Sequence, residues 1–414
     1  MFSDNGRISH RQLKRQMLLG LCGVLLLFMT GDLLQAGRSG VLGVLLGAAV
    51  LLVYLWWTAG CEHAQKKSAR KKFDLYFWAK LVVMGSFLVI TGAYLLRESV
   101  RVTSEYLLPE AGKPILALIL LAVAVLGVGT VPERRARMAE AAFPMYFWGI
   151  LLLLVLAAFH ARVPDIRQMP ALSIGEIMSA GWSFLAVGIT VTAFPMIGLE
   201  LSGEGDNAKN REKKKPEGLQ GEKEIDNELT KGEMTKLEAG VVEMPVRNQK
   251  NRRSVERRVW ITLALLVVGT ILVLFGTYGY SGANSLEFPL WHLMSGTNLP
   301  GKFLERFDII WMSLFLFGIL FALGSVAFYG VQILPEFRGH TVIIQVIVSV
   351  LVGVYWMVTE TFPELQVSYL LAVKCIYAPL FLVLVILRGR ERGSREQEIK
   401  LYAPGSEEEK REKA

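Results

Sequence analysis

Cysteine and histidine are scarce: three of the first and five of the second among 414 residues. Cys22, Cys61 and Cys375 lie far apart, so they supply neither a disulfide framework nor a metal-ligand spacing. No histidine stands at ligand spacing either, and neither a metal nor a cofactor is expected. The chain also lacks a clustered nucleophile and paired carboxylates, which argues against an enzyme. Acidic residues are missing where a pump would need them. Asp32 and Glu200 fall near the ends of long apolar stretches, and no Asp or Glu falls in the middle of one. Proton-coupled pumps generally carry an intramembrane carboxylate that changes protonation through the cycle. Sensing, facilitated movement or ion leak therefore fits better than driven uptake, unless a lysine takes the carboxylate's place.

Apolar sequence is abundant. Hydrophobic residues make up 52% of the chain and charged residues only 20%, with mean hydropathy +0.40. That balance leaves too little polar surface for a soluble protein of this length. The spacing predicts an all-α polytopic membrane protein with ten transmembrane helices at 16–35, 40–59, 74–96, 112–131, 143–160, 179–200, 259–280, 308–334, 341–358 and 367–387. Most reach the roughly 20 residues that cross a bilayer. The first is read as a span, because no small-residue cleavage site follows it and nine more spans do. Five is odd, so the second five helices cross in the opposite sense to the first. The two halves can then form an inverted repeat, as in many secondary transporters. The halves share no visible sequence, and the repeat is a matter of topology alone.

Charge placement sets the orientation. With the N-terminus inside, 35 basic residues fall on the cytoplasmic side and 8 on the other, which puts both termini in the cytoplasm. The basic pI of 9.3 is thus a topology signal, and no nucleic-acid binding is implied. The chain divides into an N-terminal segment (1–15), a first five-helix repeat (16–165), a sixth helix (179–202), a charged loop (203–257), helices seven to ten (258–388) and a tail (389–414). The loop carries 14 basic and 12 acidic residues over 203–258 with no apolar periodicity, the composition of disorder or marginal helix. Its Arg252, Arg253, Arg257 and Arg258 abut the seventh span and suit anionic head groups of the lipid bilayer. Outside, 281–305 has room for a short interfacial helix, and 97–113 can continue the third helix. Trp56, Trp57, Trp78, Trp148 and Trp182 stand near span ends, as interfacial aromatics do.

Helix defects mark the candidate site. In an inverted-repeat transporter, the first helix of each half is interrupted, and freed backbone groups bind the ligand. The first span carries Gly20-Leu21-Cys22-Gly23. The sixth carries Gly188-Ile189-Thr190-Val191-Thr192-Ala193-Phe194-Pro195, where Pro195 cannot donate to the Val191 carbonyl. Gly20, Cys22, Gly23, Gly188, Thr190, Thr192 and Phe194 are therefore the expected ligand-binding residues. Ser325 and Tyr329 in the glycine-punctuated eighth span, Pro195, and the two intramembrane lysines, Lys80 and Lys374, are candidates for coupling or gating. Against these stand plainer readings: membrane glycines and prolines commonly serve packing, and lysines can snorkel. Gly43 and Gly47 form a small-xxx-small pair for helix packing.

The opening Ile8-Ser9-His10-Arg11-Gln12, running straight into the first span, is similar to the start of the spore germination permease family. The sixth helix ending Phe194-Pro195-Met196-Ile197-Gly198-Leu199-Glu200 resembles that family too, and its last residues echo the wider amino acid–polyamine–organocation superfamily. The resemblance covers roughly 8–200 and 259–387. It implies a LeuT-type five-plus-five bundle and a small germinant, usually an amino acid, held between the first and sixth helices. It also implies A-type and C-type germinant receptor subunits as partners, in the inner membrane of the spore. An autonomous amino acid or polyamine permease in the cytoplasmic membrane is the alternative.

Overall fold

A computed structural model describes residues 9–62, 75–128, 132–159, 161, 170–192, 246–286, 288–296, 308–333, 341–365 and 368–386. The described residues are helical apart from short connections. We label the long helices α1 (His10–Gln35), α2 (Gly37–Glu62), α3 (Leu75–Val102), α4 (Lys113–Val128), α5 (Pro132–Phe159), α6 (Ile174–Thr192), α7 (Val246–Ser285), α8 (Asp308–Ile333), α9 (Thr341–Thr361) and α10 (Tyr369–Ile386). Among the described residues, eight helices are long and apolar enough to cross a membrane; α1 and the shorter α4 are not in that set. The protein is therefore an integral membrane protein. Outward-facing apolar residues such as Leu118, Leu126, Val342 and Met357 suit lipid contact, as do Trp56 and Trp148.

Helix bounds differ from the expected spans where charge hid a continuing helix. The fifth span was expected from 143, yet α5 begins at Pro132, a residue suited to a first helical turn. Its inward positions Arg135, Ala139, Tyr146, Ile150, Leu153 and Ala157 recur at helical period. The third helix does run on past 96, to Val102 and through one π-helical turn, Thr103–Leu107. Residues 246–257, expected within the charged loop, form the start of α7. The expected interfacial helix is Pro289–Gly296, but its Leu290, Trp291, Leu293 and Met294 are buried rather than facing the bilayer.

Two motifs shape the ends of α1. Ser9 caps it in a reciprocal box with Gln12, each side chain bonded to the other's backbone N–H. At its far end Gly37 (φ 57°) turns the chain into α2, and a Cβ there would stand 2.8 Å from Pro170. In α7, Gly279 breaks the helix with φ 70° and ψ 171°, a region open in practice only to glycine. Just beyond the break, the Tyr280 hydroxyl donates to the Gln35 carbonyl at 2.8 Å.

The packing forms two groups. Helix α2 packs most extensively on α6, and α1 on α7, with α2 also against α7. Helices α3, α4, α8 and α9 pack on one another. The α2–α6 seam is built from backbone. A Cβ on Gly47 would lie 2.5 Å from the Gly181 carbonyl oxygen, and one on Gly43 would lie 2.7 Å from the Ile177 oxygen. This is the close helix approach that small-xxx-small spacing permits.

Candidate functional site

A cavity of about 110 Å³ lies between the two groups, lined from α1, α3, α5, α6, α8 and α10. Its walls are mostly apolar, from Met17, Leu21, Val24, Leu88, Val187 and Val191 among others. A comparable cavity of about 150 Å³ holds a benzene molecule, so this one suits a ligand of roughly six non-hydrogen atoms.

Polar groups enter from three places. Gln16, nearly two turns into α1, is 4% exposed, and neither its Oε1 nor its Nε2 has a hydrogen-bond partner among the described residues. Arg135, in the first turn of α5, is 2% exposed and borders the same cavity. Its Nη2 donates to Ser325 Oγ, which in turn donates to the Phe321 carbonyl at 2.8 Å. The guanidinium lies 4.7 Å from the Phe321 ring centroid, 5.2 Å from Phe328 and 5.5 Å from Tyr329. Its Nε and Nη1 have no partner, and no carboxylate among the described residues pairs with it.

That arrangement is costly. Arg135 stands at the end of the α5 span, where a charge costs less than the midplane value of about 2.5–3.5 kcal/mol, but its head group is buried in the bundle. Each buried, unmade hydrogen bond adds about 1–3 kcal/mol. Ring contacts offset about 0.5–2 kcal/mol, so the site as it stands favours an added acceptor.

The cavity is also lined by Tyr369, at the start of α10. Its hydroxyl is 3.1 Å from Thr91 Oγ1, and its ring stacks on Tyr94 with centroids 4.7 Å apart. Tyr369 also borders a smaller cavity of about 30 Å³ that reaches Arg97 and Thr359. Tyr369 thus lines both spaces. The π-helical turn Val373–Tyr377 follows directly, a feature common at functional positions.

The starts of α1 and α5 are fastened together. Arg15 Nη1 donates to Glu140 Oε1 at 2.7 Å and Gln12 Nε2 to Glu140 Oε2 at 3.1 Å, with Arg15 also over the Phe143 ring. Pro144 sits one turn on and leaves the Glu140 carbonyl without its helical donor.

Of the residues expected from sequence, Gly20, Ser325 and Tyr329 line the cavity, on facing helices α1 and α8. Cys22 and Gly23 do not: Cys22 is buried, and a Cβ on Gly23 would stand 3.0 Å from the Tyr146 hydroxyl. Gly188 lies at the α2–α6 seam, where a Cβ would be 2.4 Å from Leu51 Cδ2. Thr190 and Thr192 donate to carbonyls of their own helix, at Ala186 and Gly188. Lys374 is partly buried in the π-turn, and its carbonyl accepts from Trp182 Nε1 at 3.2 Å. Phe194, Pro195 and the side chain of Lys80 lie outside the described residues, as does the Gly/Pro break in the sixth helix.

Sequence reasoning passed over Gln16, Arg135 and Tyr369. Arg135 falls in the gap between the expected fourth and fifth spans, beside Arg134 and Arg137. The signal that could have found it is the apolar stripe of α5, which projects back onto position 135 and not onto Arg134 or Arg137. Glu98, just past the expected end of the third span, is likewise buried near the end of α3, with its Oε2 unpartnered among the described residues.

The architecture is similar to that of a solved membrane transporter. A solved structure described as a substrate-bound, outward-open Na+-coupled sialic acid symporter matches with TM-score 0.55 over 92% of this chain and 80% of that one, at 9% identity. That neighbour has the LeuT-type fold, and at such identity the likeness concerns the fold alone. Residues 242–337 match the model of the family described as Spore germination protein. The chain therefore resembles the spore germination permeases, and the match covers α7, the short helix and α8, away from the opening motif. No curated protein matches the sequence.

Proposed function

We propose that this chain is the germinant-sensing membrane subunit of a spore germinant receptor. It binds a small molecule, an amino acid by class, in the cavity between α1, α3, α6 and α8, and signals to A-type and C-type partner subunits. The observation that carries this reading is the cavity itself, small and mostly apolar, with buried polar atoms of Gln16 and Arg135 awaiting partners. Ligand shifts the bundle toward the state it binds better, and the partners read that state, with or without ion movement.

The ten helices form two inverted five-helix repeats in this reading, with both termini in the cytoplasm and the spore inner membrane as location. The packing supports it, because contacts recur when each helix is replaced by the one five places away. The α1–α7 contact is matched by α6–α2, α3–α4 by α8–α9, α4–α8 by α9–α3, and α1–α5 by α6–α10. The ligand site is placed at Gly20, Ser325 and Tyr329 with the residues around them. Gly188 and the two threonines then act in packing beside it.

The test is dipicolinate release from spores of a deletion strain challenged with single amino acids. Loss of the response to particular ligands, restored by the gene but not by Gly20→Trp, is expected. An unchanged response across a broad panel refutes the receptor reading. The second reading, an autonomous amino acid or polyamine permease, draws support from the fold likeness to a symporter. It would be favoured by labelled amino acid uptake that is lost with the gene in cells lacking germination partners.

A further inference from the structure

We propose that Arg135 is the anion-recognising residue of the cavity, binding a carboxylate of the ligand. The amide of Gln16 takes a second polar group. This inference rests on the reading of the cavity as the ligand site.

Three observations converge on it. Arg135 is buried among apolar and aromatic side chains, yet its Nε and Nη1 hydrogens meet no acceptor among the described residues. The charge also lacks a counter-ion there, since Glu140, on the same helix, is engaged by Arg15 and Gln12. Finally, the guanidinium is held in place. Ser325 accepts from Nη2, its own proton is committed to the Phe321 carbonyl, and three rings surround the head.

A fixed, planar, multi-donor cation with unused hydrogens is built to receive a planar anion. A carboxylate satisfies charge and hydrogen bonds together, whereas a neutral amide offers one acceptor oxygen and no charge. The remaining walls, Met17, Leu21, Val24, Leu88 and Val191, call for a short apolar body beyond the carboxylate. Gln16 presents both an acceptor and a donor, so it can meet an ammonium or a hydroxyl. The occupant so defined is a small organic acid with a second polar group near its carboxylate.

The experiment uses the full chain in lipid nanodiscs, in low-chloride buffer, with thermal unfolding followed by tryptophan fluorescence. The probes are L-alanine against L-alaninamide, propionate against propionamide, and sodium chloride. Each acid is expected to raise the melting temperature at concentrations at least about tenfold below its amide, because the amide leaves the buried charge unmet. Arg135→Gln should abolish the response to acids, and Arg135→Lys should keep part of it. Gly20→Trp, which fills the cavity, should abolish the response to every organic probe.

If amide and acid act alike on the wild-type protein and Gly20→Trp still blocks both, the cavity reading stands and the role of Arg135 is refuted. Because that comparison is made on wild-type protein, a variant that misfolds cannot obscure it. If chloride protects as well as the carboxylates, the site is one for inorganic anions and the proposal is overturned. If no probe acts, or Gly20→Trp blocks none of them, the cavity reading fails and the proposal falls with it.

Discussion

Replacing Gly47 with alanine tests whether the α2–α6 seam sets the shape of the cavity. The added Cβ would sit 2.5 Å from the Gly181 carbonyl oxygen and 3.1 Å from its Cα, so the obstacle is backbone and cannot rotate away. The helices would have to separate by roughly 1 Å to restore ordinary contact. Overpacking of this kind costs about 1–3 kcal/mol, while alanine regains up to about 1 kcal/mol in helix propensity. The matched control is Gly85→Ala in α3, where nothing lies within 4 Å of the new Cβ and only the propensity gain applies. The two variants should therefore differ by about 1–3 kcal/mol, with Gly85→Ala at or above wild type. SDS-titrated unfolding in mixed micelles measures this directly. Helix α6 also supplies Val187 and Val191 to the cavity, so Gly47→Ala should weaken the response to ligand as well. If Gly47→Ala and Gly85→Ala unfold at the same SDS fraction, the seam is looser than described and the reasoning is wrong.

Other outcomes follow from the same geometry. Glu140→Ala removes the acceptor of both Arg15 and Gln12, losing about 1–1.5 kcal/mol at this half-exposed position. Maleimide labelling of the buried Cys22, in a Cys61→Ser, Cys375→Ser background, should then speed up about tenfold, and an unchanged rate would show that the contact does not hold α1 closed. Gly279→Ala places a Cβ at φ 70° and ψ 171°, a strain of about 1–3 kcal/mol. Gly282→Ala, whose Cβ meets only ordinary contact at 3.5 Å, should be far milder, and equal melting temperatures would contradict the break in α7. Thr192→Val should keep the dipicolinate response within about twofold, since among the described residues its hydroxyl serves only carbonyls of its own helix. A lost response would put Thr192 back at the site.

Hydropathy made the helices legible, and glycine spacing made the α2–α6 seam legible, because both depend on local composition. The cavity was half legible. Gly20, Ser325 and Tyr329 could be found as small or polar residues in apolar helices. Arg135 could not be distinguished by type, since Arg134, Arg135 and Arg137 look alike to any scale of hydrophobicity. What separates them is rotational phase, and phase is fixed by α1 and α8 packing against α5. Gln16 was hidden for a related reason: at the first residue of an expected span, a glutamine reads as boundary. Tyr369 faces α3 only because α10 is short and begins beside Thr91. Gly188 shows the reverse error, a residue whose sequence context suggested a ligand but whose neighbour is Leu51.

The length of α7 has a mechanical consequence. From Val246 to the break at Gly279 it runs some 33 residues, about 50 Å of continuous rod against about 30 Å of hydrocarbon. The rod therefore exceeds the hydrocarbon by roughly 20 Å, while Glu256, Val259 and Trp260 stay buried against the bundle. A tilt of about 10° within the membrane would sweep the end of that excess length sideways by about 3–4 Å. The bundle thus owns an amplifier in the geometric sense: small at the pivot, large at the tip, and rigid enough between them to push.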